Sequence, residues 1–166
     1  MCLSRTTSPK MPKILILRRV RIILRRLSIE SYEYIHECYA ELMTQEIHDA
    51  VMANWRERKA EGIRTQQRGD NAYVVLVDGK VAGFIAYRIR DNGVGEITNN
   101  AVDSAFRGQG IGLKMYEFVL DKMREAGVEY AMVSTGGDDG HAPARKTYEK
   151  AGFKAFRPSR TYYQKL

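Results

Sequence analysis

Of the 166 residues only two are cysteine, four are proline and three are histidine. Cys2 and Cys38 are too few for a disulfide framework, and neither stands at metal-ligand spacing from His36, His48 or His141. That sets aside the disulfide-rich and zinc-ribbon classes and makes a reducing, cytoplasmic setting without a metal cofactor the expectation. Cys38 falls at an apolar helical position and reads as packing. No apolar run approaches the ~20 residues of a membrane-spanning helix, so no membrane partner is expected. Acid is missing from the start of the chain. Residues 1 to 27 hold no Asp or Glu, while Arg5, Lys10, Lys13, Arg18, Arg19, Arg21, Arg25 and Arg26 supply eight positive charges. The net charge of +7 is therefore local, because the remainder carries 19 basic and 20 acidic residues. A body this close to neutral disfavours nucleic acid as a partner, except through the basic arm.

That arm repeats itself loosely, Ile16-Leu17-Arg18-Arg19 being echoed by Ile23-Leu24-Arg25-Arg26, and arginines break each apolar run after four residues or fewer. No secretory core forms from such a pattern. It reads as an organelle-targeting segment, a basic arm or, the working expectation, a non-functional extension running past Met11. The expected organisation is a basic extension over residues 1–19 that need not be ordered, followed by one domain over 20–166.

What is present is a regular alternation of patterns. A strand is expected near Ile22 to Leu27. Ser28 and Ser31 then offer helix caps to a stripe of Tyr34, Ile35, Cys38, Tyr39, Leu42 and Met43. A second helix is expected from Glu46 to Glu61, ending near Gly62. Ala72 to Val77 and Val81 to Ile89 flank Asp78-Gly79, a hairpin signal, and Val94 to Val102 follows as a third antiparallel strand. Ile111, Met115, Val119 and Met123 stripe a helix from Gly110 to Ala126, which Gly127 ends. Val128 to Ser134 reads as a strand parallel to the third, Pro143 starts a helix reaching Lys150, and a hairpin of Lys154 to Ser159 with Thr161 to Lys165 closes the chain.

Between the third strand and its helix lies Arg107-Gly108-Gln109-Gly110-Ile111-Gly112. A glycine-rich turn opening a helix presents backbone N–H groups to an anion, the helix dipole reinforces them, and Arg107 adds positive charge at the rim. The G-x-G-x-G spacing lacks the third glycine of the dinucleotide fingerprint, and Leu113 replaces the Lys of a P-loop. The turn alone predicts an anion site of unspecified kind.

Its context narrows the anion. The run from Asn99 to Gly112 resembles the cofactor motif of the GCN5-related N-acetyltransferase (GNAT) superfamily, Arg/Gln-x-x-Gly-x-Gly/Ala, with Arg107, Gly110 and Gly112 at its core. The stretch His141-Ala142-Pro143-Ala144-Arg145-Lys146-Thr147-Tyr148-Glu149-Lys150-Ala151-Gly152-Phe153 is similar to that superfamily's later motif. The resemblance is clearest from Ala72 to Phe153. It implies an α/β (α+β) fold with a mixed, mostly antiparallel sheet flanked by helices and splayed between two strands for acyl-CoA. It further implies acetyl-CoA as the donor, its pyrophosphate on the amides from Gly108 to Gly112 and its pantetheine arm on the backbone of Ala101 and Val102. His141 stands where many relatives carry Asn, so a cofactor contact or helix cap is expected there, with proton transfer as the alternative.

The activity implied is N-acetyl transfer to a primary amine of a small molecule or peptide by direct attack. The competing classes are a non-catalytic acyl-CoA-binding regulatory module and nucleic-acid binding through the arm. A homodimer is compatible with such folds. The resemblance places the Tyr148 hydroxyl beside the thioester sulfur, so Tyr148 is the expected acid for the departing thiolate, a phenol and a thiol having comparable basicity; its alternative is packing near Phe153. A backbone N–H, that of Val102, is expected to meet the oxyanion. Glu96, at the start of the third strand, is the candidate base, with Asp103, His141, Asp138 and Asp139 as weaker ones, the last two read chiefly as caps. Tyr32, Tyr34, Tyr39 and Trp55 are candidates for an aromatic acceptor pocket.

Overall fold

The computed structural model describes residues 14–18, 39–66 and 71–166. The expected strand at 22–27 and the greater part of the first expected helix lie outside these residues, as do Tyr32 and Tyr34. Strand β1, Ile14–Arg18, pairs antiparallel with β2, Asn71–Val77. The last residues of the segment expected as an extension are therefore part of the sheet: an apolar run of four, too short for a secretory core, suffices for a strand.

Helices α1, Gln45–Met52, and α2, Trp55–Gln66, replace the single helix expected from Glu46 to Glu61. Thr44 caps α1 through its side chain, which accepts from the Ile47 N–H. The chain then breaks at Asn54, whose φ of 53° is left-handed, a region that asparagine tolerates better than most residues. The Arg58 guanidinium reaches back to the carbonyls of Ala53 and Val51. It thus satisfies acceptors that a continuous helix would have paired internally.

Strand β2 continues through Asp78 and Gly79, both at positive φ, into β3, Lys80–Ile89, and then into β4, Gly95–Val102. Two left-handed residues match the twist of a tight hairpin, which is what Asp-Gly predicted. Helix α3, Ile111–Glu125, ends at Gly127, φ 77°, and leads to β5, Ala131–Val133, parallel to β4. Helix α4, Ala142–Lys150, follows. The sheet order is β1-β2-β3-β4-β5.

Alternation along β2 and β3 divides the core between the two faces of the sheet. Tyr73, Val75, Ala82, Ile85 and Tyr87 pack with Ile111, Met115, Tyr116, Val119 and Met123 of α3, whereas Ala72, Val74, Phe84, Ala86 and Ala101 form a second cluster on the opposite face. The C-terminal hairpin expected over Lys154 to Lys165 is not formed. Residues 154–166 hold no regular element, and Phe156 and Tyr162 are exposed. Pro158 removes an N–H in the middle of that stretch, and no glycine turn supports a reversal there.

Candidate acyl-CoA site

Strand β5 pairs with β4 only from Gly95↔Ala131 to Ile97↔Val133. From Thr98 onward β4 keeps β3 on one side and, among the described residues, has no strand on the other, so the sheet opens along Thr98 to Val102. The N–H of Asp103 donates to Ala82 on β3. In an antiparallel pair, successive residues turn their backbone groups to opposite sides. Those of Val102 and Asn100 therefore face the opening. Those of Ala101 turn to β3, and its side chain joins the second core cluster. Of the two residues expected to hold the pantetheine arm through backbone groups, Val102 faces the gap and Ala101 does not. Asn100 was missed, because its orientation depends on a pairing phase that the sequence does not display.

At the end of β4 the turn is built step by step. The Asp103 carboxylate accepts from the Ala105 N–H and caps a 3-10 turn, Ser104–Phe106. The Arg107 N–H donates to the Ser104 carbonyl, and its side-chain Nε lies 3.4 Å from the Val102 carbonyl, folding the guanidinium back over the strand end. Gly108 and Gly110 both hold left-handed φ, 75° and 74°, and Gly110 is the cap residue of α3. Lys114 is the first residue of α3 to donate to a backbone carbonyl in this helix start, that of Gly110 at 3.2 Å. The N–H groups of Ile111, Gly112 and Leu113 therefore lack intrahelical acceptors, the arrangement that receives an anion. Arg107, Gly108, Gln109 and Gly110 are exposed, while the Ile111 side chain is buried in the core.

Helix α4 crosses this helix start: a Cβ on Gly112 would lie 3.5 Å from Cγ2 of Thr147. The next residue, Tyr148, is buried, its ring edge-on to Tyr116 at 5.2 Å and to Phe153 at 6.3 Å. The packing contact foreseen with Phe153 is present. Tyr116, missed in the sequence, buries its hydroxyl against the Tyr148 ring. Burial first, then the neighbouring Tyr148, push its pKa well above the ordinary phenol value.

Glu96 is placed where β4 and β5 are still paired. Arg90 grips its carboxylate through Nε at 2.8 Å and Nη2 at 2.8 Å, and Nη2 of Arg88 lies 2.7 Å away. The hydrogen bonds from Arg90, then those from Arg88, outweigh the effect of burial and lower its pKa to about 2. A carboxylate held so strongly as an anion is a poor proton acceptor at neutral pH. The structure thus turns the candidate base into an electrostatic clamp.

His141 and Asp138 form a pair, Nδ1 standing 2.8 Å from Oδ1 and 2.7 Å from Oδ2. Asp138 also caps the 3-10 turn Asp139–His141, rather than the final helix for which a cap was foreseen, by accepting from the His141 N–H. Tyr39 places its ring 6.0 Å from that of His141. Trp55 is buried, with Arg56 over its ring. On the opposite face of β4, Nζ of Lys59 donates to Asn99 Oδ1 at 3.3 Å, and burial lowers the Lys59 pKa. Among the described residues no cluster of His, Cys, Asp or Glu is arranged to hold a metal, and no helix is long and apolar enough to cross a membrane.

The model of the acetyltransferase (GNAT) family matches residues 31–153. No curated protein matches the sequence. Among solved structures, an acetyltransferase of the GNAT family from Desulfovibrio desulfuricans is 22% identical, with 87% of each chain covered and a TM-score of 0.64. The PaiA N-acetyltransferase from Thermoplasma acidophilum, solved with coenzyme A, is 18% identical over 89% of this chain and 93% of that one, TM-score 0.64. An aminoglycoside acetyltransferase from a soil metagenome, solved with sisomicin, is 20% identical over 92% and 96%, TM-score 0.57. At these identities the likeness is one of fold.

Proposed function

This chain belongs to the acetyltransferase (GNAT) family, acyltransferases that use acetyl-CoA, and from that premise we propose that it acetylates a primary amine by direct attack on the thioester. The observation that carries the reading is the gap along Thr98 to Val102, with the glycine turn at one end. The amides from Gly108 to Gly112 hold the diphosphate, and Arg107 adds charge at the rim. From there the pantetheine arm runs back along β4, hydrogen-bonded to Val102, toward the point where β4 and β5 close. That direction puts the acyl end near Asn100, whose outward N–H then takes the oxyanion role first expected of Val102. Tyr148 donates its proton to the departing sulfur.

The neighbour solved with sisomicin supports an amine acceptor, since the ligand of that protein is an aminoglycoside. The test is a panel of small-molecule and peptide amines offered with acetyl-CoA, followed by CoA thiol release and by the mass of the acetylated product. Turnover with at least one amine is expected. Tight acetyl-CoA binding without transfer to any amine would leave the acyl-CoA-binding regulatory module in its place.

A further inference from the structure

We propose that His141 and Asp138 form the proton-accepting pair of the reaction, Nε2 of His141 taking the proton that the acceptor amine must lose. The inference rests on the amine-acetylation reading above. It starts from a vacancy, because the strand carboxylate expected to act as base is committed to Arg88 and Arg90. The pair itself is the orienting arrangement that a histidine base requires. Asp138 accepts from Nδ1, which fixes the tautomer and leaves Nε2 as the basic nitrogen. Among the described residues Nε2 has no hydrogen-bond partner. Both side chains are largely withdrawn from solvent, at 12% and 9% exposure, so the geometry is not a passing surface contact.

Two further features hold the pair in place. A Cβ on Gly136 would fall inside contact distance of both Asp138 Oδ2 and His141 Nδ1, so only glycine leaves room for them at that position. Arg145, from the first turns of α4, donates through Nη1 to the Gly136 carbonyl at 2.8 Å and the Asp138 carbonyl at 2.6 Å, fixing the loop from across the helix. Among the described residues, the charged and titratable groups around the pair are Asp138 from its own turn, Arg145 from α4, which binds the loop carbonyls, and the Tyr39 phenol from the segment before α1. The turn joins the open end of β5 to the helix that carries Tyr148 seven residues on. Seven residues make about two helical turns, which return to the same face.

In the reaction, the proton of an incoming ammonium passes to Nε2 and from there to water. The neutral nitrogen then attacks the thioester carbon. The C–N bond forms, the C–S bond breaks with its electron pair on sulfur, and Tyr148 protonates the thiolate. The second proton shed by the acylated nitrogen returns through water to Tyr148. The products are the amide and free CoA.

The test compares wild type with His141→Asn and Asp138→Asn in initial-rate pH profiles, using the best amine of the panel. For His141→Asn, kcat/KM for the amine is expected to fall about 100-fold at pH 7, the usual range for a lost general base. The acidic limb of the wild-type profile should disappear, and the deficit should shrink as pH rises and the amine sheds its own proton. KM for acetyl-CoA should stay within about twofold, since the loss falls on the chemical step. Asp138→Asn should produce a smaller loss with the same change of shape. Thermal melts and CoA binding of both variants establish that they are folded. Should His141→Asn raise KM for acetyl-CoA while leaving the pH profile intact, His141 is a cofactor contact and the inference fails alone. Should wild type release no thiol with any amine, the amine-acetylation reading fails and takes this inference with it.

Discussion

The two ends of β4 carry the same kind of backbone and do opposite things. At Gly95 to Ile97 the strand is paired on both sides, and its one carboxylate, Glu96, is immobilised between two arginines. At Thr98 to Val102 one side is unpaired, and the chain runs on into a turn whose two left-handed glycines leave helix-start N–H groups exposed. The closed end fixes the sheet and the open end meets a ligand. Charge alone does not mark a reactive site: the most strongly charged contact on this strand is the one least able to exchange a proton.

Three substitutions probe that contrast. The largest effect belongs to the open end. Tyr148→Phe should lower turnover by about 100-fold, the scale of a lost general acid, while leaving CoA affinity nearly intact. Undiminished turnover in steady-state assays would return Tyr148 to its packing role. Next is Gly110→Ala. The left-handed cap costs a residue with a Cβ about 1 to 2 kcal/mol; where the free turn relaxes to escape that cost, binding must restore it, so CoA binding measured by calorimetry should weaken by up to roughly tenfold. Smallest is Glu96→Gln at the closed end. Turnover should stay within about twofold, while urea unfolding at pH 7 shows a loss of about 1 kcal/mol. The folded-state pKa of Glu96, about 2, lies below its ordinary 4.5. Its ion pairs therefore stabilise the fold above the higher value, and that contribution is lost as pH falls toward the lower one. The difference between variant and wild type should narrow over the same interval. A large loss of turnover in Glu96→Gln would erase the contrast between the two ends.

What could be read from the sequence was local in origin. Asp78-Gly79 specifies its hairpin through two backbone angles, Gly108 and Gly110 specify the anion turn in the same way, and the α3 stripe from Ile111 to Met123 points into the core as its spacing requires. What could not be read depends on partners distant in the chain or on phase. Glu96 looks like a free strand-end acid until β3 brings Arg88 beside it and the next turn brings Arg90. Ala101 and Asn100 exchange roles because the phase of pairing with β3 decides which carbonyl faces the gap. Asp138 reads as a cap and is one, yet the same carboxylate reaches the imidazole ring because Gly136 leaves space for it. The break at Asn54 hides within a helical pattern, because Arg58 supplies from outside the helix the hydrogen bonds that make the break tolerable.

The brevity of β5 has a kinetic meaning. Three residues of pairing leave the slot between the strands open, so among the described residues the donor has no inter-strand hydrogen bonds to break there. Association should then be governed by diffusion and orientation, in the ordinary range of about 10⁵ to 10⁷ M⁻¹s⁻¹, and should show a single phase that rises linearly with CoA concentration. Residence time, by contrast, would be set by how many of the amides from Gly108 to Gly112 must be released at once.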